Sequence, residues 1–412
     1  MTLLQISALL IVLAAACGVV NYFILRLPQA IGILVVALAA SLAAVAVDAL
    51  LPGLEIAPTL RALVLEIEFS EALLEGMLGL LLFAGALHVK LEVLRAEALA
   101  VLLIATIGVL LSVLVVGFGF SLITGMPLLI ALVFGAVVTP TDPVAVLGAL
   151  REAKLRENLE TKIAGESLFN DGVAYVVFLV LVGLAFPADD HHATGLASAA
   201  GLFVQEAVGG ALLGAALGWL CFRVMRRIDD YSLEVLITLA LAFGGYELAI
   251  ALHVSAPIMA VVAGLLIGHV GLAHGMSSST RDYVNAFWKL IDEILNAILF
   301  LLIGIEVFAV AFDGPLLAAG AWAIGLTLLA RLVAVAVPVL ALKPFRTFGP
   351  DVIPLMTWGG LKGGISVALA LSLPESEWKP LILTATYVTV VFSIVVQGLS
   401  IAPLARRLAP RD

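Results

Sequence analysis

The chain has 412 residues, 63% hydrophobic and only 12% charged, with a formal net charge of −9 and a mean hydropathy of +1.20. A soluble domain carries about 25% charged residues, so this composition excludes a water-soluble fold and with it a soluble enzyme or a nucleic-acid-binding protein. The two cysteines, Cys17 and Cys221, lie far apart in apolar stretches and read as small buried hydrophobes, with no disulfide, metal cluster or cofactor implied.

Apolar runs of about 20 residues are long enough to span a bilayer as helices, and they recur from one end of the chain to the other. They predict an all-α polytopic membrane protein of about thirteen transmembrane helices. The predicted spans are 4–25, 30–50, 72–89, 97–122, 126–149, 160–186, 200–222, 232–252, 255–271, 286–310, 315–341, 350–373 and 379–405. No Lys or Arg precedes Arg26, so the first run reads as a spanning helix and not as a cleaved leader. The fifth helix is interrupted by Thr139-Pro140-Thr141-Asp142-Pro143. The sixth carries Gly165-Glu166-Ser167-Leu168-Phe169-Asn170-Asp171-Gly172. The eighth and ninth are separated only by the short polar break at 252–257. The eleventh holds a single charge, Arg331, and the twelfth is interrupted by Trp358-Gly359-Gly360-Leu361-Lys362-Gly363-Gly364.

Basic residues orient these spans. With the N-terminus outside, the cytoplasmic turns hold Arg26; Lys90 and Arg95; Arg151, Lys154, Arg156 and Lys162; Arg223, Arg226 and Arg227; Arg281 and Lys289; Lys343 and Arg346; and Arg406, Arg407 and Arg411. Of the 21 Lys and Arg residues, only Arg61 and Lys379 fall outside and only Arg331 and Lys362 lie near span centres. That alternation is the positive-inside pattern. The outside turns are acidic instead, with Glu55, Glu66, Glu68 and Glu71 in one and Asp189 and Asp190 in another; His191-His192 reads as a solvated loop.

The two interruptions fall in the fifth helix of helices 1–6 and the fifth helix of helices 8–13. Two inverted six-helix repeats with a linker helix between them would place them so, and paired broken helices point to a transporter's midplane site.

Asp142, Glu166, Asp171, Arg331 and Lys362 lie near span centres, where each ionised group costs about 2.5–3.5 kcal/mol. They must pair, bind an ion, or both. Prolines three apart around Asp142 free nearby carbonyls, such as those of Val138 or Thr139, as hard oxygen ligands for a small cation. Asp142 also suits capping the half-helix that follows. Ser167, Asn170 and Asp171 share one helical face, offering a hydroxyl, an amide carbonyl and a carboxylate; polar glue between helices is the plainer reading of the first two. Glu166 is turned about 100° from Ser167 and is the natural partner of Arg331, a structural ion pair. Lys362 can offset the negative C-terminal ends of the broken helices, or carry a proton. Glu206, Glu247 and Glu306 have no polar cluster beside them in sequence.

Together, Thr141-Asp142-Pro143, Gly165-Glu166-Ser167 with Asn170-Asp171-Gly172, Ala330-Arg331, the glycine-rich break at 358–364 and the stretch from Ser255-Ala256-Pro257 to Gly264 resemble the Na⁺/H⁺ antiporters of the bacterial NhaP and animal NHE type. The resemblance implies the inverted-repeat, NhaA-like antiporter fold with two broken crossing helices. It implies scaffold or dimerisation helices over 1–96 and, after a linker helix, over 187–314, with transport-core helices over 97–186 and 315–412. It implies that Asp171 binds cation or proton in alternation, helped by Asn170, Asp142, Ser167 and Thr141, with Na⁺ held at Asp171, Asp142 and Ser167. Glu166–Arg331 would be the structural pair, and the Asn170-Asp171 pair resembles the electroneutral branch. One departure stands out: many members carry an acid after the phenylalanine matching Phe83, where this chain has Ala84.

The expected function is therefore secondary active exchange of Na⁺, or of Li⁺ or K⁺, for H⁺, by a homodimer in the lipid of the inner membrane, with the C-terminus cytoplasmic. A K⁺-selective antiporter and a passive cation channel are the alternatives. An intramembrane aspartyl protease using Asp142 and Asp171 would want a Gly-x-Gly-Asp element, which is absent. An organic-anion transporter would want unpaired cations at the site.

Overall fold

Hydrocarbon offers no partner for a backbone N–H or C=O, so a spanning chain satisfies them within helices. In the computed structural model, residues 2–51, 60–61, 69–89, 91–144, 146, 157–186, 196–271, 276–310, 313–346 and 348–408 are described, and no strand occurs among them. Glu55, Glu66, Glu68, Lys90, Arg151, Lys154, Arg156, Asp189, Asp190, His191, His192 and Arg411 lie outside the described residues.

Helix α1, Leu3–Val20, opens on a capping box in which Thr2 and Gln5 satisfy each other's backbone N–H groups. Helix α2 is Gln29–Leu50 and α3 is Leu78–Leu87, entered through a π turn at Ala72–Met77. Helix α4 runs from Leu91–Leu103 through a π turn, Ile104–Gly108, to Val109–Thr124, and stops at Gly125, whose φ of 73° suits a residue without Cβ. Then come α5, Leu128–Val137; α6, Glu157–Ala185; α7, Leu196–Met225; α8, Tyr231–Ala251; and α9, Ala256–Leu266. Helix α10 is Ser278–Ile305 and α11 is Gly314–Leu342. Helix α12 comes in two halves, Val352–Trp358 and Gly364–Leu371, and α13 runs from Lys379–Phe392 through a π turn, Ser393–Gln397, to Gly398–Leu408.

Eight of the described helical stretches are long and apolar enough to cross a membrane, and Leu78–Leu87, Leu128–Val137 and Ala256–Gly271 are shorter apolar ones. The narrow break between α8 and α9 has a local cause. His253 adopts a left-handed φ of 53°, and the Ser255 hydroxyl accepts the Ile258 N–H to start the next helix.

One boundary departs well from the sequence reading. Helix α10 begins at Ser278, capped by the Ser277 side chain, and not near 286. Its first turns expose Asp282, Lys289 and Glu293 on one side while Val284 and Trp288 are fully buried on the other. A hydropathy reading discards such a segment; packing keeps it helical, with Trp288 against Phe83 of α3 at 4.7 Å between ring centroids.

Helices α4, α5, α6, α11, the second half of α12 and α13 pack against one another around a cluster that includes Val113, Phe134, Val177, Ala323 and Leu369. Helices α3, α8 and α9, with α10, close around Phe83, Tyr246, Met259 and Trp288. Close approach in lipid rests on small residues. A Cβ on Gly135 would lie 2.6 Å from the Val113 carbonyl oxygen, so α5 seats directly on the backbone of α4.

At one end of these helices Glu97 accepts from Lys162 at 3.2 Å and from Arg346 at 3.3 Å, while Arg346 also reaches the Ala96 carbonyl at 2.6 Å. Two residues that the sequence shows only as basic turn charges thereby tie α4, α6 and the α11–α12 turn together.

Candidate functional site

Helix α5 ends at Val137 because Pro140 and Pro143 withhold two backbone donors within one turn. Helical backbone resumes at Val144, whose N–H donates to Asp142 Oδ1 at 2.8 Å, a helix cap. The α12 break faces this segment: the Asp142 N–H donates to the Leu361 carbonyl at 2.8 Å, joining the two interruptions directly. Gly363 makes that approach feasible, since a Cβ there would lie 2.6 Å from Asp142 Oδ2.

Lys362 is buried and reaches across to α5. Its Nζ donates to the Thr139 carbonyl at 2.8 Å and to that of Pro140 at 3.4 Å, at the negative C-terminal end of the first half of the broken helix. This corrects one part of the sequence reading: the Thr139 carbonyl, taken there as a possible cation ligand, is occupied by an ammonium because the helix end needs compensation. The Lys362 N–H donates to Ser393 Oγ at 2.8 Å. Ser393 donates to Gln397 Oε1 at 2.6 Å, and Gln397 Nε2 to the Trp358 carbonyl at 2.9 Å. The π turn of α13 therefore clamps both sides of the α12 break. Sequence reasoning passed over Ser393 and Gln397; their signal was two polar residues four apart in a stretch, 390–399, that is otherwise apolar. Gln397→Leu leaves the Trp358 carbonyl and the Ser393 hydroxyl without that partner. It should lower stability by about 1–3 kcal/mol, read as an earlier thermal transition in detergent.

Helix α6 presents its polar face to the α5 break. Asp171 Oδ1 accepts the Thr141 N–H at 3.2 Å, and the Thr141 and Ser167 hydroxyls lie 3.1 Å apart. Asn170 Nδ2 donates to Thr141 Oγ1 and to Glu166 Oε1, each at 3.1 Å. The structure thus brings Thr141, Asp142, Ser167, Asn170 and Asp171 together, all buried. The amide of Asn170 spends its nitrogen on these neighbours, leaving Asn170 Oδ1 and Asp142 Oδ2 as buried oxygens without a hydrogen-bond partner.

Glu166 is fully buried and takes a bidentate pair from Arg331 of α11, at 2.7 and 2.6 Å. Arg331 Nε also donates to the Met356 carbonyl at 3.2 Å, so one guanidinium ties α6, α11 and the first half of α12. Glycine is needed at 360, where a Cβ would run into the Arg331 side chain. None of Glu206, Glu247 and Glu306 joins the cluster: Glu247 is exposed on α8, Glu206 is partly exposed on α7, and Glu306 is buried beyond the end of α10.

A cavity of about 340 Å³ reaches Asp142 and Asp171. It is also lined by His88 at the end of α3 and by Lys289, Asp292 and Asn296 of α10. The predicted span 286–310 contains these α10 residues, but the sequence reading took Lys289 as a cytoplasmic turn charge and did not weigh Asp292 or Asn296.

Residues 8–407 match the family described as sodium/hydrogen exchanger, transmembrane. The chain belongs to the sodium/hydrogen exchanger family. It is 46% identical to the Na⁺/H⁺ antiporter NhaP of Pseudomonas aeruginosa over 98% of this chain and 97% of that one. It is 34% identical to the Na⁺/H⁺ antiporter NhaH of Halobacillus aidingensis over 82% of this chain and 84% of that one. Its fold is that of the sodium proton antiporter MjNhaP1 of Methanocaldococcus jannaschii, with a TM-score of 0.70 at 19% identity, covering 93% of this chain and 99% of that one. In this exchanger-family chain Ala84 is fully buried, and its carbonyl accepts from His88 Nδ1 at 2.7 Å. Position 84 thus carries no carboxylate, and the funnel-facing imidazole is held with Nδ1 protonated.

Proposed function

We propose that this protein exchanges one Na⁺ for one H⁺ across the inner membrane, with cation and proton competing for Asp171. The observation that carries this reading is the charge balance of the crossing. Glu166 and Arg331 neutralise each other bidentately. That leaves two buried carboxylates, Asp142 and Asp171, against one buried ammonium, Lys362. The remainder is a single negative charge in a low-dielectric site, which either one proton or one monovalent cation cancels. Asp171, Asp142 Oδ2, Asn170 Oδ1 and the Ser167 and Thr141 hydroxyls are the hard oxygens that would replace water around Na⁺.

Helices α4–α6 and α11–α13 form the moving core in this reading, and α1–α3 with α8–α10 the scaffold and the homodimer contact. The basic-turn pattern supports an N-terminus outside; in this reading the cavity, lined by His88 at the end of α3 and by Lys289 in the first half of α10, opens to the cytoplasm. Na⁺ enters there, displaces the proton, and the core shifts to release it on the other side.

The test is exchange in proteoliposomes with Na⁺, Li⁺ and K⁺ in turn. A net charge moved would feel about 2.3 kcal/mol per 100 mV. Na⁺/H⁺ exchange whose rate and end point ignore an imposed potential is the expected result; potential-driven Na⁺ flux without proton movement overturns it. Gly363→Ala tests the geometry. Its methyl would press on Asp142, whose backbone is pinned to Leu361. Exchange should fall by at least about ten-fold, the scale on which small displacements of working groups act.

A further inference from the structure

The open cavity ends near the crossing, and the barrier beyond it has its own chemistry. On α10 the cavity wall runs from Lys289 to Leu299. One turn further the Ile303 carbonyl accepts the Tyr387 hydroxyl of α13 at 3.0 Å, and Glu306 follows at the end of the helix. Tyr387 and Glu306 are 5% and 3% exposed, and the carboxylate is close enough to act electrostatically on the phenol. Both stand on the side of the crossing away from the cavity mouth. On α13, Ser393 marks the level of the crossing through its bond to the Lys362 N–H, and Tyr387 lies from there toward Lys379, where the helix begins. Among the described residues no Lys, Arg or His forms an ion pair with Glu306, and Lys379 is spent on Glu375 at 2.7 Å. Further oxygens accompany the pair. Thr384, one turn from Tyr387, Thr386 and Ser366 in the second half of α12 are fully buried, each hydroxyl without a hydrogen-bond partner.

We infer that Tyr387 and Glu306 form the outer gate of the exchanger: the Tyr387 hydroxyl latches α13 to α10 while the cavity is open on the cytoplasmic side, and Glu306 receives the Na⁺ that leaves Asp171 when the core moves. The inference rests on the exchange reading above and deepens it by naming residues on the release side. In that reading α13 belongs to the moving core and α10 to the scaffold, so the Tyr387–Ile303 bond crosses the sliding boundary and breaks in each cycle. The scaffold partner is held in place. A Cβ on Gly304 would lie 2.5 Å from Ala37 Cβ, so the end of α10 sits directly on α2. The bond is one between neutral groups, whose net worth is small once water can replace the partner, which suits a contact that must open. Glu306 supplies the other half of the argument. A buried carboxylate with no cation opposite it is costly in a membrane, and an intramembrane acid of that kind marks an ion's path. Opening at Tyr387 brings water to Glu306 and gives the outer cleft a negative group, which concentrates cations there. The hydroxyls of Thr384, Thr386 and Ser366 are hard oxygens on the core side, suited to a cation that is shedding or regaining water.

The experiment measures Na⁺-dependent exchange from each face in turn, in right-side-out and everted membrane vesicles, for wild type, Glu306→Gln and Glu306→Asp. Glu306→Gln should raise the apparent KM for Na⁺ at the outer face by about ten-fold and leave the KM at the cytoplasmic face unchanged. Glu306→Asp, which keeps the charge, should stay near wild type at both. A side chain that only supports packing would move both faces together. Equal change at the two faces, or no change at the outer one, overturns the gate. The latch has its own readout. A membrane-impermeant carbodiimide with an added amine, applied at the outer face, labels accessible carboxyl groups, and peptide mass spectrometry locates them. Glu306 should be labelled about five-fold faster in Tyr387→Phe than in wild type, the shift that one lost hydrogen bond allows; equal rates overturn the proposal. Should Glu306→Gln fail to fold, this comparison, in which Glu306 is intact, decides the matter. Wild-type exchange that is lost in Asp171→Asn but indifferent at Glu306 and Tyr387 sinks this inference and leaves the exchange reading standing; no exchange by the wild type sinks that reading instead.

Discussion

Asp171→Asn should abolish exchange and leave the protein folded. The amide matches the carboxylate in shape, and its oxygen can still accept the Thr141 N–H that now reaches Asp171 Oδ1. What disappears is the unbalanced charge. With Asp171 neutral, Asp142 faces Lys362 alone, and the crossing has nothing left for a proton or a sodium ion to cancel. A site with no group to exchange H⁺ for Na⁺ cannot couple the two, so the rate should drop to that of empty liposomes. The thermal transition should stay within a few degrees of wild type, or rise, because a buried charge that costs about 2.5–3.5 kcal/mol is gone. Coupled exchange at the wild-type rate in Asp171→Asn would move the site elsewhere. Loss of exchange together with loss of folding would make the residue structural.

Arg331→Leu has the largest expected effect on stability. It strands Glu166, which is fully buried and otherwise accepts from the Asn170 amide. Breaking a buried pair from one side costs about 3–5 kcal/mol, whereas replacing both partners by apolar residues is often neutral. Glu166→Leu with Arg331→Leu should therefore melt closer to wild type than Arg331→Leu alone, and the double-mutant cycle should return a strong coupling. The guanidinium has a second duty, its 3.2 Å bond to the Met356 carbonyl, so the double variant should recover most, not all, of the loss. If both singles and the double melt alike, the pair does not hold α6 to α11.

Much of this site is written locally in the sequence. Two prolines three apart, Pro140 and Pro143, interrupt a helix where the lone Pro338 and Pro403 do not, and the four glycines at 359, 360, 363 and 364 mark the break in α12. Ser167, Asn170 and Asp171 share a face by helical periodicity alone. Five charges inside apolar runs announce a functional centre, because the bilayer does not tolerate them otherwise. Even the Glu166–Arg331 pairing follows from there being so few candidates to neutralise an arginine in lipid.

Other features depend on the path of distant segments and leave little local trace. Lys362 and Thr139 are far apart in the chain, yet the ammonium takes the carbonyl that looked free for a cation. Ser393 and Gln397 read as incidental polar residues until α13 folds back across the α12 break. The first turns of α10, from Ser278, fell outside the predicted span because hydropathy averages over a helix whose two faces have different neighbours. Composition and hydropathy determined that the chain is a multi-pass membrane protein, and helical periodicity put Asp171 on one polar face with Ser167 and Asn170. Only the tertiary structure decided which oxygens remain unpartnered near Asp171 and which α10 side chains line the cavity that reaches it. The physical reason is that a hydrogen bond saturates one specific atom, and that choice is made between helices, where spacing along the chain carries no information.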